Sequence, residues 1–279
     1  VVSQPGDCIV EIFNPWFLDP SVEISDCDPA VCEYGEYVFR LTQMNGYYDE
    51  VEGWKTICSD YDDVSVWIFE PVDPDAGLDQ HLCDQFEFTL DATPTTFCLP
   101  GYSEGEWTQV GGPAPVNMTT PSMEDPVVTV QTAGVSCPYG VYTFEYTEKN
   151  GFFADDADPR GWCEGYDMVS VYIYEPLDVD AGDDAAYCDQ LTFYLDGSIG
   201  NLCTEFITRI EWSLVSQPDN CVVWIMDEGS LDPVVDITNC AGCPYGDYLF
   251  KARIENGYYD NLGQWQMVCY DEDEVIITI

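Results

Sequence analysis

The sequence predicts an all-β chain of tandem β-sandwich domains, disulfide-stapled and about 105 residues per repeat. Three observations carry this: short stretches of apolar–polar alternation, a set of motifs recurring at one spacing, and fourteen cysteines beside a single histidine.

The strands come first. Segments 64–68, 86–90, 169–173, 192–195 and 275–279 alternate in period two between turn residues, and no stretch holds an apolar 3.6-residue period over three turns. Asn45-Gly46, followed by an aromatic pair, reads as the turn after the strand containing Tyr37 and Phe39.

The motifs then set the register. Asp75-Ala76-Gly77 returns as Asp180-Ala181-Gly182, 105 residues on, and Glu70-Pro71 and Trp107 return at the same shift as Glu175-Pro176 and Trp212. Tyr34, Gly35, Tyr37 and Phe39 recur as Tyr139, Gly140, Tyr142 and Phe144, and again as Tyr245, Gly246, Tyr248 and Phe250. Asn45-Gly46-Tyr47-Tyr48 recurs as Asn150-Gly151-Phe152-Phe153 and as Asn256-Gly257-Tyr258-Tyr259. The first five residues match 214–218, which lie mid-repeat. The expected domains are therefore 1–71, a partial repeat lacking its N-terminal third, 72–176 and 177–279. With no signal peptide or initiating Met, the chain is expected to be a segment of a longer, open-ended array.

Cysteines in metal sites favour Cys-x-x-Cys knuckles with histidines; only Cys240 and Cys243 have that spacing, and His81 stands alone. Disulfides and an oxidising compartment follow: cell surface, secreted or periplasmic. The first and third repeats hold Cys8 with Cys27 and Cys221 with Cys240, and the middle repeat lacks both members, as coupled loss of one bridge would leave it. The remaining cysteines fall into two more classes. The expected bridges are Cys83–Cys98 and Cys188–Cys203, then Cys32–Cys58, Cys137–Cys163 and Cys243–Cys269, all within single repeats.

Some seven short strands and an internal bridge in about 105 residues fit an immunoglobulin-like sandwich, and the Tyr-Gly-x-Tyr-x-Phe entry to the penultimate strand suits a corner tyrosine that pins the turn. The motif order, from Asp-Ala-Gly through Trp107, Tyr142 and Asn150-Gly151 to Val169 and Val171, resembles the PKD-like, immunoglobulin-like repeats of giant secreted bacterial surface adhesins and filaments of the Bacteroidota type. That resemblance implies a cell-surface location and no shared catalytic residues.

Charge narrows the partners. With 53 acidic residues against 7 basic ones the net charge is −46, which excludes nucleic acid. No apolar run approaches the ~20 residues of a membrane helix. An aromatic share of 14% separates the chain from a disordered acidic tail.

Candidate sites are few. Gly101-Tyr102-Ser103-Glu104-Gly105 matches a nucleophile elbow, but no helix follows, His81 precedes the serine, and the third repeat lacks the motif. No catalytic residue is assigned. The linker residues Asp73, Asp75, Asp79, Asp178, Asp180, Asp183 and Asp184 gather hard oxygens where repeats meet, and calcium takes about six to eight of these. The alternative is a solvated linker or aspartates that cap a turn. Calcium is the one candidate cofactor. One ring of each pair, Tyr47-Tyr48, Phe152-Phe153 and Tyr258-Tyr259, is expected to be exposed, packing on the next domain or stacking on a sugar. Asn117 opens a glycosylation sequon.

The function expected is an extracellular structural and adhesive repeat segment without catalytic activity. Its partners are further repeats of the same polypeptide or neighbouring subunits of a filament. The alternative is a carbohydrate-binding module array of a secreted hydrolase.

Overall fold

The computed structural model describes residues 1–28, 30–98, 103–151 and 162–279, and every regular element among them is a strand. The N-terminal part holds β1 (Ile9–Phe13), β2 (Ser21–Ser25), β3 (Gly35–Asp49) and β4 (Gly53–Ile68), paired as two antiparallel hairpins. The middle part holds β5 (Gln80–Cys83), β6 (Glu87–Thr89), β7 (Ser103–Gly111), β8 (Val116–Met118), β9 (Val127–Val130), β10 (Gly140–Gly151) and β11 (Trp162–Tyr174). The last part repeats that series: β12 (Val179–Asp180), β13 (Ala185–Ala186), β14 (Thr192–Tyr194), β15 (Ser198–Ile199), β16 (Ile207–Ser216), β17 (Val222–Met226), β18 (Val234–Thr238), β19 (Asp247–Tyr259) and β20 (Trp265–Thr278).

In the middle part a four-stranded sheet, ordered β5-β11-β10-β7, faces a three-stranded one ordered β6-β9-β8. The last part has the same two layers, β13-β20-β19-β16 over β14-β18-β17. In each, the short first strand pairs parallel to the last long one, and the other ladders of these two layers are antiparallel. Alternate residues face inward, so each sandwich has its own core. Phe88, Leu90, Val128, Phe144 and Val171 fill one, and Phe193, Leu195, Val235, Phe250 and Val275 the other. Trp107 and Trp212 sit at the centres, 1% and 2% exposed, each with its indole N–H donated to a backbone carbonyl, of Glu124 and Ser230.

A corner tyrosine forms in each copy, and it is the second tyrosine of the Tyr-Gly-x-Tyr-x-Phe stretch. The hydroxyls of Tyr37, Tyr142 and Tyr248 each donate to the carbonyl four residues upstream, of Glu33, Pro138 and Pro244. The Asp-Ala-Gly motif is a turn with three separate demands. Asp75 Oδ1 accepts from Gly77 N, Ala76 is buried, and Gly77 adopts φ +84° where a Cβ would lie 2.4 Å from Asp91 O. Asp180, Ala181 and Gly182 repeat this, with Asp196 O in the same place.

Asn45-Gly46 is not a turn. It lies within β3, where the ladder to β4 shifts register, and Asn256-Gly257 does the same in β19. Glycine is required there because a Cβ on Gly46 or Gly257 would lie 2.0 Å from the carbonyl oxygen of Lys55 or Gln266. The actual reversals come later. Asp49 Oδ1 accepts from Val51 N and Glu52 N, and Asp260 Oδ1 from Leu262 N and Gln264 N. Those N–H groups hold both carboxyls below the usual carboxylate range.

Candidate functional site

The sequence features converge on the joints between successive sandwiches. At the second joint, Glu175 follows β11, which Tyr174 closes, and Pro176 removes a donor so that the chain leaves the sheet. The Glu175 carboxylate accepts from Cys203 N at 2.7 Å, and its backbone carbonyl accepts from Asn256 Nδ2 at 3.1 Å. Asn256 is 1% exposed, and its Oδ1 also accepts from Cys269 N. The conserved geometry is visible at the first joint: Glu70 takes Cys98 N at 2.8 Å and Asn150 Nδ2 at 3.0 Å. Thus the Asn of the Asn-Gly pair is a clamp on the linker, which its turn-like sequence concealed.

Disulfides cross the same joints. Cys8–Cys27 and Cys221–Cys240 form as expected. The other pairings differ. Cys32 joins Cys98 and Cys137 joins Cys203, each 66 residues apart, and Cys83 joins Cys269. The expected bridges Cys32–Cys58, Cys83–Cys98, Cys137–Cys163, Cys188–Cys203 and Cys243–Cys269 do not form, and the reason is geometric. Cys58, Cys163 and Cys269 stand opposite or flanking the clamp asparagine, about ten residues along the hairpin from its start. At ~3.3 Å per residue that puts them roughly 30 Å from Cys32, Cys137 and Cys243, far beyond the ~7 Å limit between bridged Cα atoms. Cys83 likewise lies beside Tyr174, while Cys98 sits against Glu70 at the other end of the sandwich. Each sandwich therefore carries its cysteines at its two ends, where neighbours can reach them.

Rings complete the second joint. His81 lies between Tyr172 and Tyr258, with centroids at 4.5 and 3.6 Å and planes within 9°, and Tyr174 stacks on Phe206 at 4.1 Å. Burial lowers the His81 pKa, opposed by Asp79. Its Nδ1 lies 3.2 Å from the Tyr174 hydroxyl. A cleft of about 810 Å³ opens beside this stack, lined among others by Asp79, Glu205 and Asp260. The ring faces of His81 and Tyr258 are turned to one another rather than to the cleft.

The linker aspartates have defined partners. Asp75 and Asp180 cap the turns described above, and Asp79 Oδ1 and Asp184 Oδ1 accept from Ser170 N and Ile276 N across the sheet edge. Asp73 N donates to Thr95 Oγ1, and the Asp178 carbonyl accepts from Gly200 N. Asp183 is exposed. Among the described residues, the one group of three potential metal ligands within 4.8 Å is Cys8, Cys27 and Glu33, whose sulfurs are bonded to each other. Asn117 is exposed on β8.

Tyr259 is half exposed while Tyr258 packs in the joint, as alternation requires. Tyr47 and Tyr48 are both exposed, against expectation; among the described residues no ring stands on Tyr47 as His81 stands on Tyr258. Phe152 and Phe153 lie outside the described residues, as do Gly101 and Tyr102 of the elbow-like stretch. Ser103 begins β7 opposite Asn150, whereas His81 pairs with Tyr172 at the far end of the sheet. The two cannot form a dyad.

No protein-family model matches the sequence, and no curated protein does. Solved structures to which the chain is similar include the PKD domain of the KIAA 1837 protein, at 22% identity over 37% of this chain and 85% of that one, TM-score 0.27. Murine CEACAM1b is 14% identical over 72% of this chain and 96% of its own, TM-score 0.36. The N-terminal eight Ig domains of Down Syndrome Cell Adhesion Molecule are 10% identical over 99% of this chain and 40% of theirs, TM-score 0.40. The strand order itself decides the class: a four-stranded layer with a parallel edge strand, over a three-stranded antiparallel layer, pinned by a corner tyrosine and a buried Trp. The sandwiches are immunoglobulin-like. No helix among the described residues is long and apolar enough to cross a membrane.

Proposed function

We propose that the chain is a structural or adhesive segment of an extracellular array, a stiff row of immunoglobulin-like units spanning 1–71, 72–176 and 177–279. The supporting observation is the second joint, where Cys137–Cys203, Cys83–Cys269, the Glu175 clamp and the His81 stack all tie one unit to the next. Independent binding modules on flexible tethers would need none of these. Cross-joint bridges also support an oxidising compartment as the setting, the cell surface or its surroundings. The partners proposed are units of the same kind; adhesion to a surface is assigned to the exposed acidic and aromatic faces, and no catalytic step is assigned.

Small-angle scattering of the chain with and without a thiol reductant tests stiffness. The oxidised protein is expected to give one narrow, rod-like distance distribution, and reduction to broaden it while the sandwiches stay folded by circular dichroism. An oxidised chain as flexible as the reduced one would sink the stiff-array reading. Saturable binding of a defined oligosaccharide on a glycan array would favour the carbohydrate-binding alternative.

A further inference from the structure

Four cysteines carry free thiols: Cys58, Cys188 and Cys243 are exposed, and Cys163 is half-buried. Each has a repeat counterpart that is bonded. Cys58 and Cys163 occupy the place of Cys269, beside the clamp asparagine. Cys188 occupies the place of Cys83, just past the edge strand that runs parallel to the last long strand, where Tyr187 N still donates to Thr278 O. Cys243 is the counterpart of Cys32 and Cys137, ahead of the corner tyrosine.

The three cross-joint bridges obey one rule. A cysteine at the C-terminal end of a unit, of the Cys83 or the Cys137 kind, bonds a cysteine at the N-terminal end of the next, of the Cys269 or the Cys203 kind. Applied to the free thiols, the rule leaves Cys188 and Cys243 facing out from one end of the chain and Cys58 from the other. Cys163 faces the first joint, with its Sγ 3.9 Å from Phe69 O.

We propose that these thiols are inter-unit cross-linking sites, and that the last unit of one chain takes the first unit of a second copy end to end through a Cys188–Cys58 disulfide. This rests on the end-to-end array proposed above. The established joint supplies the argument for the occupant. There, Tyr258 packs on His81 beside the Cys83–Cys269 bridge. On the first unit Tyr47 is the counterpart of Tyr258, and it stands exposed on the same hairpin as Cys58, with Trp54 and Ile57 exposed nearby. The surface that a joint buries is thus presented, uncovered, around the thiol that a joint would bond.

The chemistry is thiol–disulfide exchange with a small-molecule disulfide as oxidant. The Cys188 thiolate attacks oxidised glutathione and expels one glutathione thiolate. The Cys58 thiolate of the second copy then attacks the Cys188 sulfur of the mixed disulfide and expels the other. Two protein thiols are oxidised to one disulfide, one glutathione disulfide is reduced to two thiols, and the two protons from the protein thiols end on the two glutathione sulfurs.

The test uses the 279-residue chain in a glutathione redox buffer, read by non-reducing electrophoresis and mass mapping of linked peptides. The expected result is a ladder of oligomers containing the Cys188–Cys58 peptide pair. Cys58→Ser and Cys188→Ser are each expected to abolish the ladder, and an equimolar mixture of the two variants to give dimers and nothing larger. A ladder that persists in the double variant, a majority of Cys58–Cys58 or Cys188–Cys188 pairs, or four thiols still titrating after oxidation would overturn the proposal. If light scattering shows end-to-end oligomers of Cys188→Ser, the array stands and the cysteine assignment falls. A correctly paired ladder whose joints bend freely in scattering supports the cross-link and removes the stiffness instead.

Discussion

Tyr142 has no exposed surface, and burial pushes its phenol up to about 12. The hydroxyl donates to Pro138 O, so the fold holds the phenolic proton more tightly than the unfolded chain, where tyrosine titrates near ~10. That contribution is fully present below pH ~10 and is lost as the pH climbs through the folded value. Tyr139 and Tyr174 are also pushed up to about 12, chiefly by burial, and reinforce the same window. The chain is therefore expected to keep its stability at pH 9 and to unfold between about pH 10 and 12, with tyrosinate absorbance rising in step with loss of β-sheet circular dichroism. Tyr142→Phe should cost about 1–2 kcal/mol in denaturant melts at neutral pH, since it strands a carbonyl without changing the packing. An unchanged midpoint would remove the corner from the list of stabilising contacts.

The hairpins show how much a strand owes to its cover. Val169 and Val171 on β11 are 2% and 0% exposed, while their counterparts Val64 and Val66 on β4 are 58% and 44% exposed. The alternation is identical; what differs is that the three strands β6, β8 and β9 form a second layer with one hairpin, while among the described residues the other has only the two-stranded β1-β2 sheet and is left largely uncovered. Val171→Asp should abolish folding of the middle sandwich, at several kcal/mol for an unpaired buried carboxylate, while Val66→Asp should leave the melting profile within about 0.5 kcal/mol of the parent. Calorimetry of the two variants checks this, and equal losses would mean that β3 and β4 are covered. The same contrast explains what could be read in advance. Period-two alternation, the corner tyrosines and the recurring motifs are local, and they found the strands and their order. Bridge partners depend on which end of a strand a cysteine occupies, and sequence spacing hides that. Cys32 and Cys58 belong to one hairpin yet sit at its opposite ends. Asn45-Gly46 and Asn256-Gly257 also carried two meanings, since a tight turn and a bulge ask for the same glycine.

At the scale of the molecule a net charge of −46 sets a long-range repulsion against the compact state. Screening shortens its range to about 8 Å at physiological ionic strength, so salt is expected to raise the melting temperature steadily from low ionic strength. Several linker aspartates already accept backbone hydrogen bonds, and the comparison of ions separates the two readings of them. Calcium that stabilises no more than sodium at matched ionic strength would leave Asp73, Asp75, Asp178 and Asp180 as turn and linker residues. A larger effect of calcium, lost in Asp75→Asn with Asp180→Asn, would assign ions to the linkers.

The bridges also redraw the route by which tension would pass along the chain. Pulled at its termini, the oxidised molecule carries force through residues 1–8, across to 27–32, over to 98 and back to 83, then to 269–279. That covalent path holds roughly 40 residues, about 140 Å when taut, whereas all 279 residues fully extended would reach about 950 Å. Most of both sandwich cores lies off the path, in loops that a load cannot pay out while the sulfur bonds hold. Such a strand yields by breaking covalent bonds before it yields by lengthening, and it behaves as a tether rather than a spring.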